Sequence, residues 1–217
     1  LSYILWPLLL GIPIFMVYLG IKAGRPTLYF NIAYLSLGVS LFVLERVMPY
    51  RDEWVKSDGQ EFPDFAHTIL NKGLIQLGLF LLLISGIIET MGHKSAYSFW
   101  PSGLPMAVQV LIAMVVSEFG LYWKHRLAHT WDFMWRFHSV HHSVEKLWFF
   151  NTGRFHFVDT LGGLLFSIPL LFIMGVPGDV FIYFSSITAF VGLLTHCNVY
   201  MHGGFLNYIF ITPNVHR

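Results

Sequence analysis

The chain has 217 residues, 55% of them hydrophobic and only 12% charged, and carries a formal net charge of +1. Its mean hydropathy of +0.61 and its shortage of charge, against roughly 25% in an ordinary soluble domain, exclude a water-borne globule and direct the apolar excess toward lipid. No basic run offers a footing for nucleic acid, and the single cysteine, Cys197, excludes an internal disulfide and a cysteine-built metal site.

The first predicted element, residues 1–21, is long and apolar, without a basic leader or a small-residue cleavage pattern. It reads as a membrane span rather than a signal peptide, with Pro7 and Pro13 as sites for a kink. A short loop at 22–26 leads to a second span at 28–48, closed by Glu45, Arg46 and Pro49. Residues 49–64 are polar. A third span is predicted at 73–88, headed by Asn71 and Lys72, with an earlier start open if Lys72 snorkels, and a turn-rich connection follows at 90–102. The fourth span, 104–123, runs straight into a polar, aromatic and basic stretch at 124–156. Residues 157–176 and 180–194 are apolar again but short for spans. With Pro177 and Gly178 between them they read as a helical hairpin.

These elements predict an all-α fold: a polytopic membrane helical bundle of about four spanning helices plus a short apolar helical hairpin, with a histidine-rich cap. Lys/Arg bias orients it. With 124–156 in the cytoplasm, that side receives Arg46, Arg51, Lys56, Lys72, Lys124, Arg126, Arg136, Lys146, Arg154 and Arg217, and the far side Lys22, Arg25 and Lys94. Ten against three makes the cap cytoplasmic.

Five of the eleven histidines fall between 125 and 142. His125 and His129 are i, i+4 on one helix face, a spacing that lets both imidazoles reach one ion. Tyr122 and Glu118 continue that face, and Glu118 or Asp132 is a candidate acceptor for the second ring N–H of a ligand. His138, His141 and His142 are i, i+3 and i+4, so a helix presents all three together, while neighbours 141 and 142 diverge by about 100° and can serve different metals. His196 and His216 fall on the same side of the membrane in the derived topology. His67, His93 and His202 stand alone and are expected to be structural.

Imidazole suits zinc, copper, iron and nickel alike. More histidines than a four-coordinate zinc accepts point to two ions, and all-nitrogen ligation fits dioxygen activation by iron. Arg126, where HExxH has its glutamate, argues against a zinc hydrolase. A zinc-stapled, non-catalytic scaffold and a bis-His haem electron carrier remain as alternatives, the latter needing histidines that face each other within the spans.

In order and spacing, the segments 118–129, 137–143, 151–156, 196–198 and 212–217 resemble the histidine boxes of the fatty acid hydroxylase/sterol desaturase superfamily, in its bacterial sterol-desaturase-like branch. The resemblance implies N-terminal membrane helices over 1–103 and a hydroxylase-like domain over 104–217. It implies two iron ions held by His125, His129, His138, His141, His142, His196 and His216, with dioxygen as co-substrate. It further implies a lipid substrate from the bilayer, hydroxylated or desaturated, and electrons from a ferredoxin or a b-type cytochrome with its reductase. Glu118, Tyr122, Asp132, Asn198 and His156 are then candidates to support the ligands. The expected location is a bacterial inner membrane, or the endoplasmic reticulum in a eukaryote. The family pattern carries a further histidine pair three and four residues beyond His216, and the chain opens on Leu1, so the sequence is expected to be a fragment.

Overall fold

The computed structural model describes residues 2–84 and 99–216. His93, Lys94, the end of the third predicted span and most of the 90–102 connection lie outside the described residues. The α-helices described are α1 Ser2–Lys22, α2 Pro26–Val47, α3 Glu61–Ile84, α4 Met106–Thr130, α5 Asp132–His138, α6 Phe157–Ser167, α7 Pro169–Met174, α8 Gly178–His196 and α9 Pro213–His216. Short 3-10 turns lie at Asp52–Val55, His141–Ser143, Phe149–Gly153 and Gly204–Tyr208. Among the described residues there is no strand, and Pro49 and Val199 form an isolated antiparallel bridge. The fold is all-α. Among the described residues, five helical stretches are long and apolar enough to cross a membrane: Ser2–Lys22, Pro26–Val47, Met106–Thr130, Phe157–Met174 and Gly178–His196. The predicted hairpin therefore supplies two spans' worth of apolar length.

Packing divides the chain into two compact units interleaved along the sequence. The first takes Leu1–Phe65, Val144–Thr152 and Ser185–Arg217, and the second takes Ala66–Ser143 and Gly153–Phe184. Each unit draws residues from both sides of position 103.

In the first unit α1 packs on α2. Buried Trp6, Leu10 and Val17 recur at helical spacing on α1, and Ala33, Leu37 and Leu41 do so on α2. The hairpin between them is tight: a Cβ on Gly20 would sit 2.6 Å from the Tyr29 Cβ. Pro7 and Pro13 both lie inside α1, which is continuous through them. Buried Glu45, one turn beyond Leu41, binds the rest of the unit together. Its Oε1 accepts the backbone N–H groups of Phe149 at 2.8 Å and Asn198 at 2.9 Å.

In the second unit α4 packs against α5, α6 and α7. The α4–α6 approach depends on Gly120, where an added Cβ would lie 1.9 Å from the Phe166 carbonyl oxygen. Helix α3 starts twelve residues before the predicted span. Gln60 and Gly59 are held by Asp58 and Ser57, and Glu61 and Asp64 sit in the first turn, where acids favour a helix start. The polar turns so added are used in packing: Asn71 Nδ2 donates to the carbonyls of Gly153, at 3.3 Å, and Phe155.

Candidate metal centre

Helix α4 carries His125 and His129 near its C-terminal end, with their Nε2 atoms 3.2 Å apart. The chain then breaks at Trp131, whose backbone is extended (φ −121°, ψ 113°), and re-enters helix as α5, so that α5 packs back on α4. His138 is the last residue of α5 and is fully buried. The second cluster does not lie on one α-helix as predicted. The helix ends at His138, and His141 and His142 sit on the following 3-10 turn. The tighter turn separates neighbours: His142 Nε2 lies 3.2 Å from His138 Nε2, while the His141 ring stacks on Phe155 at 4.1 Å and 6°.

Four imidazoles converge as a result. Ligand-capable nitrogens of His125, His129, His138 and His142 all lie within 4.8 Å of one another. Imidazole nitrogens bound at about 2.0–2.1 Å to one first-row ion lie roughly 3.0–3.4 Å apart, which the 3.2 Å pairs match. Imidazoles this close leave no slot for a haem macrocycle.

The orientation of His138 has a visible cause. Its Nδ1 lies 3.1 Å from Asp159 Oδ2. An ionised carboxylate only accepts, so Nδ1 carries the proton and the lone pair is on Nε2, facing the cluster. Asp159 is buried in the first turn of α6, near the positive end of the helix dipole, and pairs with the buried ammonium of Lys124. Two charges inside apolar helices thus compensate each other. Sequence reasoning missed both Asp159 and Lys124. The available signal was that Asp159 is the lone acid in the apolar stretch 157–176.

The candidate supporting residues are placed as follows. Tyr122 is exposed, and its hydroxyl accepts from Arg126 at 2.8 Å. Glu118 is exposed on α4, and Asp132 is exposed in the first turn of α5. His156 caps α6, its Nδ1 accepting the Val158 N–H at 3.2 Å, with its ring 4.9 Å from Phe137. Asn198 lies in the first unit and staples the loop after α2, exchanging hydrogen bonds of 3.0 Å with both backbone groups of Arg51. Also in the first unit, the rings of His196 and His216 lie 4.6 Å apart, and His196 Nδ1 is 3.2 Å from Asn151 Oδ1. Burial holds the His216 imidazole below the ordinary histidine pKa, so its ring is neutral at pH 7. His67 faces the Phe155 carbonyl at 3.1 Å, and His202 stacks on Tyr3.

Comparison with known proteins finds lipid hydroxylases and monooxygenases among the chain's relatives. A fatty acid hydroxylase family model matches residues 110–217. Ornithine lipid hydroxylase OlsE of Rhizobium tropici is 43% identical over 221 aligned residues, covering 100% of this chain and 66% of that protein. Alkylglycerol monooxygenase of Xenopus tropicalis is 31% identical over 46% of this chain and 22% of its own length, and that of Danio rerio 26% over 82% and 39%. The chain thus spans about two thirds of the first relative and less than half of the others. No solved structure matches.

Proposed function

The chain belongs to the fatty acid hydroxylase/sterol desaturase superfamily, and from that premise we propose that it forms the membrane-embedded core of a non-haem di-iron oxygenase that hydroxylates a C–H position of a membrane lipid. The observation that carries the reading is the four-imidazole cluster, with His138 oriented by Asp159. Hydroxylation is favoured over desaturation because the relatives are named as a hydroxylase and as monooxygenases. Identity across the whole chain with an ornithine lipid hydroxylase supports a lipid of that class as substrate.

We assign His125, His129, His138 and His142 to one iron. His141, His196 and His216 are assigned to the other on the sequence pattern alone. When bound, such a centre would supply the activation of dioxygen: one oxygen atom would enter the substrate C–H bond and the other leave as water, with two electrons from a ferredoxin or a b-type cytochrome and its reductase and two protons from solvent. The chain's own residues orient and exclude. Asp159 fixes the tautomer of His138, Phe155 fixes the plane of His141, and the apolar helices keep water from the reacting carbon. The chain is a multi-pass membrane protein. Its Lys/Arg bias supports a cytoplasmic position for 124–156, where a soluble donor reaches it. The hydroxylase-like region is proposed to be 104–217, with 1–103 contributing the N-terminal membrane helices.

The test is to express the wild type and His138→Ala, count metals in the purified proteins and compare lipid extracts by mass spectrometry. The expected outcome is about two irons per wild-type chain, and a lipid one oxygen atom heavier that is absent with the variant. One zinc per chain with identical extracts sinks the reading in favour of a structural staple.

A further inference from the structure

Within the first unit, at the end of α2, a cavity of about 230 Å³ is lined by charges of both signs and by no histidine. That is below the roughly 300–1,000 Å³ of sites that enclose a whole drug-sized ligand, and suits a headgroup. Two of its charges are committed elsewhere. Glu45 accepts the two backbone N–H groups described above. Lys146 Nζ donates to the Lys56 carbonyl at 2.7 Å and pairs with Asp58 at 3.2 Å.

Arg46 and Glu61 face the cavity with capacity to spare. The Arg46 guanidinium lies 3.5 Å over the Phe42 ring and gives Nη1 to the Phe42 carbonyl at 2.7 Å. A guanidinium has five N–H donors in a planar fork, so most of them point elsewhere. The Glu61 side chain is 45% exposed and meets Lys146 at only 3.4 Å. Its backbone N–H at the helix start, the Ser57 hydroxyl and Lys146 hold its carboxyl below the usual value, so it is anionic at neutral pH.

Phe42, Glu61 and Trp148 also line a second, apolar cavity of about 460 Å³. Phe65 stacks on Phe150 at 5.7 Å and 4°, and Trp148 stacks on Phe150 at 5.4 Å. The outer rings, Phe62 and Phe65, are 78% and 52% exposed. A polar chamber and a wall of flat rings therefore share side chains. Because α2 is a span and Arg46 lies in its last turn, the junction sits where the helix leaves the hydrocarbon, at headgroup depth.

We propose that this pair of cavities binds a zwitterionic lipid whose headgroup is an acylated amino acid. Arg46 takes the free carboxylate, Glu61 the free amine, and the stacked aromatic wall an acyl chain. The proposal rests on the hydroxylase reading for its lipid class. The charge pattern favours a zwitterion over a purely anionic or neutral lipid; the guanidinium fork takes a carboxylate or a phosphate with two parallel hydrogen bonds, and the choice of the carboxylate follows from the hydroxylase reading.

The test uses the purified full chain in detergent, as wild type, Arg46→Gln, Arg46→Lys and Glu61→Gln. Each is incubated with an equimolar mixture of an acylated ornithine lipid, phosphatidylethanolamine, phosphatidylglycerol and a free fatty acid, and the lipid retained through gel filtration is quantified by mass spectrometry. The wild type should retain the ornithine lipid above the other three. Arg46→Gln should lower that retention about tenfold, the size of a lost charge-assisted contact, and Arg46→Lys should restore part of it. Glu61→Gln should shift the preference toward phosphatidylglycerol. Equal retention of phosphatidylethanolamine by the wild type, unchanged retention in Arg46→Gln, unchanged preference in Glu61→Gln, or a uniform loss of all four lipids overturns the proposal. Retention needs neither metal nor turnover. Selective binding without any hydroxylated product therefore removes the hydroxylase reading and leaves the headgroup site. Hydroxylation by Arg46→Gln at unaltered KM does the reverse.

Discussion

Asp159 joins the electrostatics of the second unit to its four-imidazole cluster. One carboxylate oxygen holds the Lys124 ammonium and the other holds His138 Nδ1, with the Lys124 and Asp159 side chains only 6% and 2% exposed. Removing its charge has two separable consequences. Asp159→Asn strands the Lys124 cation in an apolar site, which costs about 3–5 kcal/mol, and removes the anionic acceptor that fixes the His138 tautomer, which lowers metal affinity about 10–100-fold. Adding Lys124→Met removes the stranded charge, so thermal stability in detergent should recover while metal affinity, measured by chelator competition, stays low. If both recover together, Asp159 is only a structural partner. The histidines themselves were legible because helical spacing repeats every turn. Asp159 was not, since it stands 21 residues from His138 and 35 from Lys124. Helix-face reasoning reached Glu118, Tyr122 and Asp132 on α4 and α5, whereas the carboxylate comes from α6.

Helices bring these residues together only as closely as their backbones allow, and α4 meets α6 at Gly120. An added methyl there would enter the Phe166 carbonyl, an atom that cannot rotate aside. Gly120→Ala should cost about 1–3 kcal/mol as an overpacked contact and should loosen the Lys124–Asp159 pair that crosses the same interface. Gly163, on the α6 side, is the control. A Cβ there meets Leu121 Cδ2 at 3.7 Å, ordinary contact, and alanine is favoured over glycine within a helix by roughly 0.5–1 kcal/mol. Gly163→Ala should therefore melt at or above the wild-type temperature and Gly120→Ala well below it; equal melting would mean the interface has slack. Apolar length located α1, α2, α4 and the hairpin in the sequence. It misjudged the start of α3, because the polar turns from Glu61 to Asn71 are paid for by Asp64, which accepts the Trp148 indole N–H at 2.7 Å, and by Asn71, not by apolar burial. It also carried the α-helix past His138, since i, i+4 spacing does not distinguish an α-helix from a helix followed by a 3-10 turn.

Composition alone assigns the whole chain to the membrane, but not the way it packs. The two interleaved units depend on bonds such as Glu45 to Asn198 and Arg51 to Asn198, between residues 153 and 147 positions apart, and no periodic pattern encodes a pairing at that distance. What the sequence does offer at this level is an expected orientation, from the excess of Lys and Arg beyond the ends of α2 and α4. The segment between α2 and α3 carries Arg51 and Lys56, and that between α1 and α2 carries Arg25. The positive-inside rule predicts that the first is cytoplasmic and the second is not. The chain makes the test direct, because its one cysteine, Cys197, is buried. In a Cys197→Ser background, single cysteines at exposed Ser57 and exposed Ala23 report the two sides. In intact cells a membrane-impermeant maleimide should label Ala23→Cys and spare Ser57→Cys, and inverted vesicles should reverse the pattern. Labelling of Ser57→Cys from outside would put the loop after α2, and with it Arg46 and Glu61, on the far face, out of reach of a cytoplasmic electron donor.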